Sequence, residues 1–148
     1  MIWNPERECM DRESLKKLQS ERLVRIVKHA YDNVPFYKKK MDDMGLKPTD
    51  IKSIDDISKL PFTVKTDLRE NYPDGLFAVD RSEIIRLHAS SGTTGKPIVA
   101  GYTAHDVENW KEGVARCLTA YGASKEDTIQ ISYGYGLFTG GLGAHDGA

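Results

Sequence analysis

Pro97 limits the fold more than any other residue in the chain. It lies within "HASSGTTGKPIVAGYT", residues 88–103, after a run of small residues, hydroxyls and one lysine. A phosphate loop that opens a helix reads G-x-x-x-x-G-K-[ST], and the residue after the lysine offers its hydroxyl to magnesium. Here Gly92 and Gly95 are only three apart, and the lysine, Lys96, is followed by proline. Pro97 leads into the β-branched pair Ile98-Val99, and Ile84-Ile85-Arg86-Leu87-His88 on the other side also has strand composition. The segment therefore reads as strand, loop, strand: a hairpin, with no helix at the loop's exit.

The loop's residue types still favour an anion. Without Cβ atoms, Gly92 and Gly95 let backbone N–H groups turn inward as a nest. Ser90, Ser91, Thr93 and Thr94 add hydroxyl donors, and Lys96 adds a mobile positive charge. Residue types alone leave open an ordinary polar hairpin turn.

Bulk properties exclude several classes. A chain of 148 residues is long enough for one domain with a core, and a net charge of −1 gives no nucleic-acid footprint. Lys38-Lys39-Lys40 is followed by Asp42 and Asp43 and reads as a solvated helix face. Cys9 and Cys117 form no metal or disulfide spacing. The start, "MIWNPERECM", is charged where a signal peptide needs an apolar run, and no window nears the ~18 apolar residues of a membrane span. A reducing cytoplasm is the expected location.

The first third reads as helical. Asp11 is placed to cap a helix whose apolar stripe includes Leu15, Leu18, Leu23, Ile26, Val27, Ala30, Tyr31 and Val34, stopped by Pro35. A short helix follows, with Gly45 at its end. Ser53-x-x-Asp56 is a capping box before an element stopped by Pro61, and "TVKTDLRENYP" is another short helix, on which Lys65 and Arg69 are expected to face solvent. Thr103-x-x-Asp106 caps a longer helix with Val107, Trp110, Val114, Cys117, Leu118 and Tyr121 on its apolar stripe, where Cys117 is expected in the core; Gly122 stops it. "DTIQISYG" reads as a third strand. The expected organisation is a mainly helical segment, 1–80, and the start of an α/β domain, 81–148. Three strands fall short of the ~5–6 of an average sheet, so the chain reads as the N-terminal piece of something larger.

"SYGYGLFTGGLGAH", residues 132–145, interleaves Tyr133, Tyr135 and Phe138 with glycines. Gly134, Gly136 and Gly140 miss the dinucleotide spacing by one place. Aromatics with glycines between them suit the wall of a flat pocket, or close packing of a helix on a sheet. The four histidines are scattered without metal-ligand spacing, His88 at a strand end is expected to be structural, and no G-x-S-x-G elbow is present.

"SSGTTGKP" resembles the phosphate-loop signature of the adenylate-forming superfamily of acyl-CoA synthetases and luciferases. Its continuation, "IVAGYT", together with "WNPERE", "ENYPDGLFAV" and "YGYGLFTGGLGAH", resembles the phenylacetate–CoA ligase family over essentially the whole chain. The resemblance implies the N-terminal part of the large α/β domain of such an enzyme, with an incomplete sheet. It implies an AMP-forming ligase of an aryl acid, phenylacetate foremost, with ATP, magnesium and coenzyme A. Ser90, Ser91, Gly92, Thr93, Thr94, Gly95 and Lys96 would hold the ATP phosphates. Tyr135 and Phe138 would contact the aryl ring, and Gly140 and Gly141 would leave it room. Catalytic, adenine and magnesium residues of the family have no counterparts among these 148 positions, so the chain alone is expected to be inactive. Where the family reads A-H-Y-G-A this sequence has Asp146, and a carboxylate buried there needs a cation. Partial sheets predict self-association, as a homodimer, or completion by a C-terminal part. The competing reading is a non-catalytic nucleotide- or anion-binding module, or a subunit completed by another chain.

Overall fold

The computed structural model describes residues 1–90 and 97–148. The phosphate-loop positions Ser91, Gly92, Thr93, Thr94, Gly95 and Lys96 lie outside the described residues. The chain forms two compact units, Met10–Asp80 and Met1–Cys9 with Arg81–Ala148.

The helical unit is built on α2 (Arg12–Asn33) and α3 (Pro35–Asp43). Asp11 caps α2, its Oδ1 accepting the Ser14 N–H at 2.9 Å. Pro35 ends α2 and serves as the first residue of α3, where its missing N–H costs nothing. The α3 exit is a Schellman turn: Gly45, at φ 66°, donates to the Asp42 carbonyl, and Leu46 donates to that of Met41. The core joins Val27, Met41 and Ile51, with Leu23, Tyr31, Leu46 and Leu60 against them. Ser53 and Asp56 close a reciprocal capping box on a 3-10 turn, Ile54–Lys59, and Lys59 first, then the Lys52 and Ser53 N–H groups, hold the Asp56 carboxyl down at about 2. A short helix, α4 (Lys65–Glu70), completes the unit.

Three expectations are corrected in this unit. Ile26 stands 56% exposed on the rim of an apolar groove of about 170 Å³ instead of in the core. Arg69 is half-buried on α4, while Lys65 is exposed. Lys40 is no solvated lysine: it reaches Asp67 Oδ2 at 2.6 Å and the Phe62 carbonyl at 2.7 Å, joining α3 to α4.

In the second unit, β1 (Ile84–Ala89) pairs antiparallel with β2 (Val99–Thr103), with His88 opposite Ala100 and Ala89 opposite Val99. The expected hairpin is therefore present. Thr103 and Asp106 form the capping box of α5 (Ala104–Ala120). Its exit repeats the Schellman pattern: Gly122 at φ 100° donates to Thr119 and Ala123 donates to Leu118. The first helix, α1 (Pro5–Glu8), is fastened to α5 through Glu112, whose carboxylate accepts from Trp3 Nε1 at 2.9 Å, Asn4 Nδ2 at 2.8 Å and Arg116 at 2.7 Å. Arg116 first, then Trp3 and Asn4, hold this carboxyl below its ordinary range.

Three further expectations fail here. "DTIQISYG" is not a strand: a strand needs a ladder partner, and among the described residues the sheet has only β1 and β2. Cys117 is exposed, and Tyr121 is 93% exposed. The glycine-rich tail coils as α6 (Thr139–Gly147), which packs on α5 at Trp110 and Val114. Cys117 lies nearly a turn past that contact and stays uncovered.

Candidate functional site

The site is the loop-bearing end of the hairpin with the aromatic segment beside it. Along β1, Ile84, Arg86 and His88 alternate with Ile85, Leu87 and Ala89. Ile85 and Leu87 are 61% and 48% exposed, while His88 is 1% exposed. The polar row is thus the inward one, the reverse of the usual two-faced strand. Inside, the imidazole lies edge-on between the rings of Tyr102, at 5.6 Å, and Trp110, at 5.2 Å.

Ser90 is the first residue beyond the strand. Its N–H donates to the Ile98 carbonyl at 2.9 Å, and its Oγ accepts the Ile98 N–H at 2.9 Å. Ser90 therefore serves as the post on which the hairpin closes. Its hydroxyl proton is still available to donate outward.

The aromatic segment is hydrogen-bonded to β1 at Leu137. Leu137 presents its carbonyl to the Ala89 N–H at 2.8 Å and to His88 Nδ1 at 3.0 Å. Ala89 directly precedes Ser90, and Leu137 directly precedes Phe138. One pair of hydrogen bonds thus sets the loop's root beside the residue expected to touch the ring.

Phe138 stacks on Tyr133, centroids 5.2 Å apart and planes 27° from parallel, and both rings are about half exposed. Tyr135 turns toward α6 instead, its hydroxyl 3.0 Å from His145 Nδ1. The two residues expected to grip a ring together therefore have different neighbours, and Tyr133 is the one that joins Phe138. Gly140 and Gly141 lie at the start of α6. A Cβ at Gly140 would meet the Phe138 ring at 2.8 Å, and one at Gly141 would meet the Gly134 carbonyl oxygen at 2.9 Å. Both glycines let the aromatic turn fold close over the helix start.

Asp146 has the cation it needs. Arg86 NH1 is 2.6 Å from its Oδ2, and both side chains are about four-fifths buried. The departure from Tyr at this place is matched by a β1 arginine that periodicity did not connect with it. Among the described residues no three His, Cys, Asp or Glu side chains gather to hold a metal ion. Among them, too, no helix is long and apolar enough to cross a membrane.

No family model matches the chain. It is 53% identical over 148 residues to a phenylacetate-coenzyme A ligase of Thermus thermophilus, covering 100% of this chain and 33% of that protein. Against the phenylacetate-coenzyme A ligase of Escherichia coli K12 it is 54% identical over 136 residues, 92% of this chain and 31% of the relative. Among solved structures it resembles 2-hydroxyisobutyryl-CoA ligase in complex with 2-HIB-AMP and CoA, with a TM-score of 0.88 and 32% identity over 99% of this chain and 32% of that one. The chain thus spans about a third of the length of the relatives it matches.

Proposed function

This chain belongs to the phenylacetate–CoA ligase family of adenylate-forming enzymes, and from that premise we propose that it is the N-terminal part of an AMP-forming aryl-acid–CoA ligase that works in the cytoplasm, where ATP and CoA are at hand. The substrate is an aryl acid, phenylacetate foremost. A carboxylate oxygen attacks the α-phosphorus of ATP and pyrophosphate leaves. The CoA sulfur then attacks the acyl carbonyl carbon and AMP leaves.

The observation that carries this reading is the shared anchor at Leu137. It sets the root of a Ser/Thr/Gly/Lys loop beside an aromatic turn, and adenylation needs a phosphate clamp next to an acid pocket. Ser90 to Lys96 steady the charge that builds on the departing pyrophosphate. Ser90 and Ile98 close the root of that loop with a pair of hydrogen bonds. Phe138, stacked on Tyr133, offers the ring of the acid an apolar face. Tyr135, Gly140 and Gly141 shape the same wall. Magnesium would share the phosphate charge, held by the nucleotide and by groups outside the described residues.

Product analysis tests the reading. Supplied with phenylacetate, ATP and CoA, the protein as the cell makes it should yield AMP, pyrophosphate and an acyl thioester. ADP and phosphate as products would overturn it.

A further inference from the structure

We propose that His88 is a positioning residue: through the Leu137 carbonyl it holds the Phe138 turn in register with the root of the phosphate loop, and so sets where the acid meets the α-phosphate. This rests on the function proposed above.

Because a carbonyl can only accept, the imidazole nitrogen 3.0 Å from the Leu137 oxygen carries the proton. The same oxygen takes the Ala89 N–H at 2.8 Å, so two donors from adjacent residues of β1 converge on one acceptor. The turn they hold is otherwise fixed by the Tyr133–Phe138 stack and the Tyr135–His145 contact. Tyr133, Leu137 and Phe138 are each about half exposed or more, and none lies in a helix or strand. The imidazole is itself enclosed, 1% exposed between a β2 ring, Tyr102, and an α5 ring, Trp110.

Packing alone does not explain a histidine here. Its Nε2 is buried without a hydrogen-bond partner among the described residues, which an apolar ring of similar size would avoid. Donation from Nδ1 to Leu137 does account for it. The carboxylate must stand within roughly 3–3.5 Å of the phosphorus and in line, and a displacement of ~1 Å costs on the order of 100-fold in rate. A tie between the ring-binding turn and the phosphate loop acts on that distance.

Two substitutions separate the donor from the ring. His88→Asn keeps an N–H near the place of Nδ1 and loses the ring; His88→Phe keeps a ring and loses the donor. Both are made in the protein as the cell makes it. Acid-dependent ATP–pyrophosphate exchange and amide deuterium exchange across residues 129–138 are then measured. His88→Phe should lower the exchange kcat by about 10-fold or more, with KM for acid and ATP each changing much less. It should also speed deuterium uptake in the turn. His88→Asn should keep most of the rate and protection, although its Tm falls further. A His88→Phe protein as fast and as protected as the unsubstituted one overturns the proposal, as does a His88→Asn protein equally slow. If the unsubstituted protein shows no acid-dependent exchange, the functional reading falls, and deuterium uptake still decides whether His88 holds Leu137.

Discussion

Gly143 of α6 faces the indole of Trp110 so closely that a single added methyl would lie 2.5 Å from Cζ2. One turn on, Gly147 stands against Val114 in the same way. Two glycines four apart thus meet two large side chains four apart, and the helices approach where only hydrogen fits. Gly143→Ala and Gly147→Ala should each lower stability by about 1–3 kcal/mol, the usual cost of overpacking a fitted interface. Alanine at Gly113, which has open space around it, should instead be neutral or slightly stabilising. Thermal denaturation of the three variants checks this.

The Arg86–Asp146 pair makes a prediction with a built-in control. Removing one partner leaves a mostly buried charge uncompensated, so Arg86→Met should destabilise by roughly 2 kcal/mol, less than a fully buried pair would. Adding Asp146→Leu should recover most of the loss. Denaturant titration of the single and double variants measures the coupling.

Glu112 sets an acid limit for the N-terminal arm. Its carboxyl is held below the ordinary 4.5, chiefly by Arg116 and then by Trp3 and Asn4. A depressed carboxyl contributes stability in full above the unfolded value and loses it as pH falls through the folded one. Amide exchange at Arg7 and Glu8 should therefore stay slow at neutral pH, after allowance for the intrinsic rate. Protection should fall as pH drops below about 4.5. Glu112→Gln should show the unprotected rate already at neutral pH.

Ile85 and Leu87 leave an apolar row of β1 exposed. Contiguous apolar surface on a sheet face drives association, so the 148-residue chain should self-associate at micromolar concentration. Ile85→Lys with Leu87→Lys should return it toward a monomer in sedimentation velocity.

Local chemistry was legible in the sequence. Asp11, Thr103 and the Ser53/Asp56 box act within a few residues of themselves, and so do Pro35 and the exit glycines Gly45 and Gly122. The β-branched pair Ile98-Val99 behind Pro97 foretold the hairpin, because a mononucleotide loop would open a helix there. What depended on distant partners was not legible. Ile129–Ser132 have strand composition, but composition supplies no ladder partner. Cys117 sits on an apolar stripe, and whether a stripe is covered depends on where α6 lands. His88 read as structural; the Leu137 oxygen it meets is 49 positions away. Tyr135 and Phe138 share one glycine-interleaved pattern, and only folding directs the first to His145 and the second to Tyr133.

The central claim concerns pyrophosphate as the group the loop steadies, and ATP–pyrophosphate exchange tests it most directly. Run on the protein as the cell makes it, exchange of labelled pyrophosphate into ATP should require phenylacetate or a close aryl acid. Lys96→Ala should lower it about 10-fold or more by removing a charge-assisted contact. The 148 residues alone, a third of a relative's length, should give none. Exchange that ignores the acid, or a Lys96→Ala protein with an unchanged rate, would contradict the account.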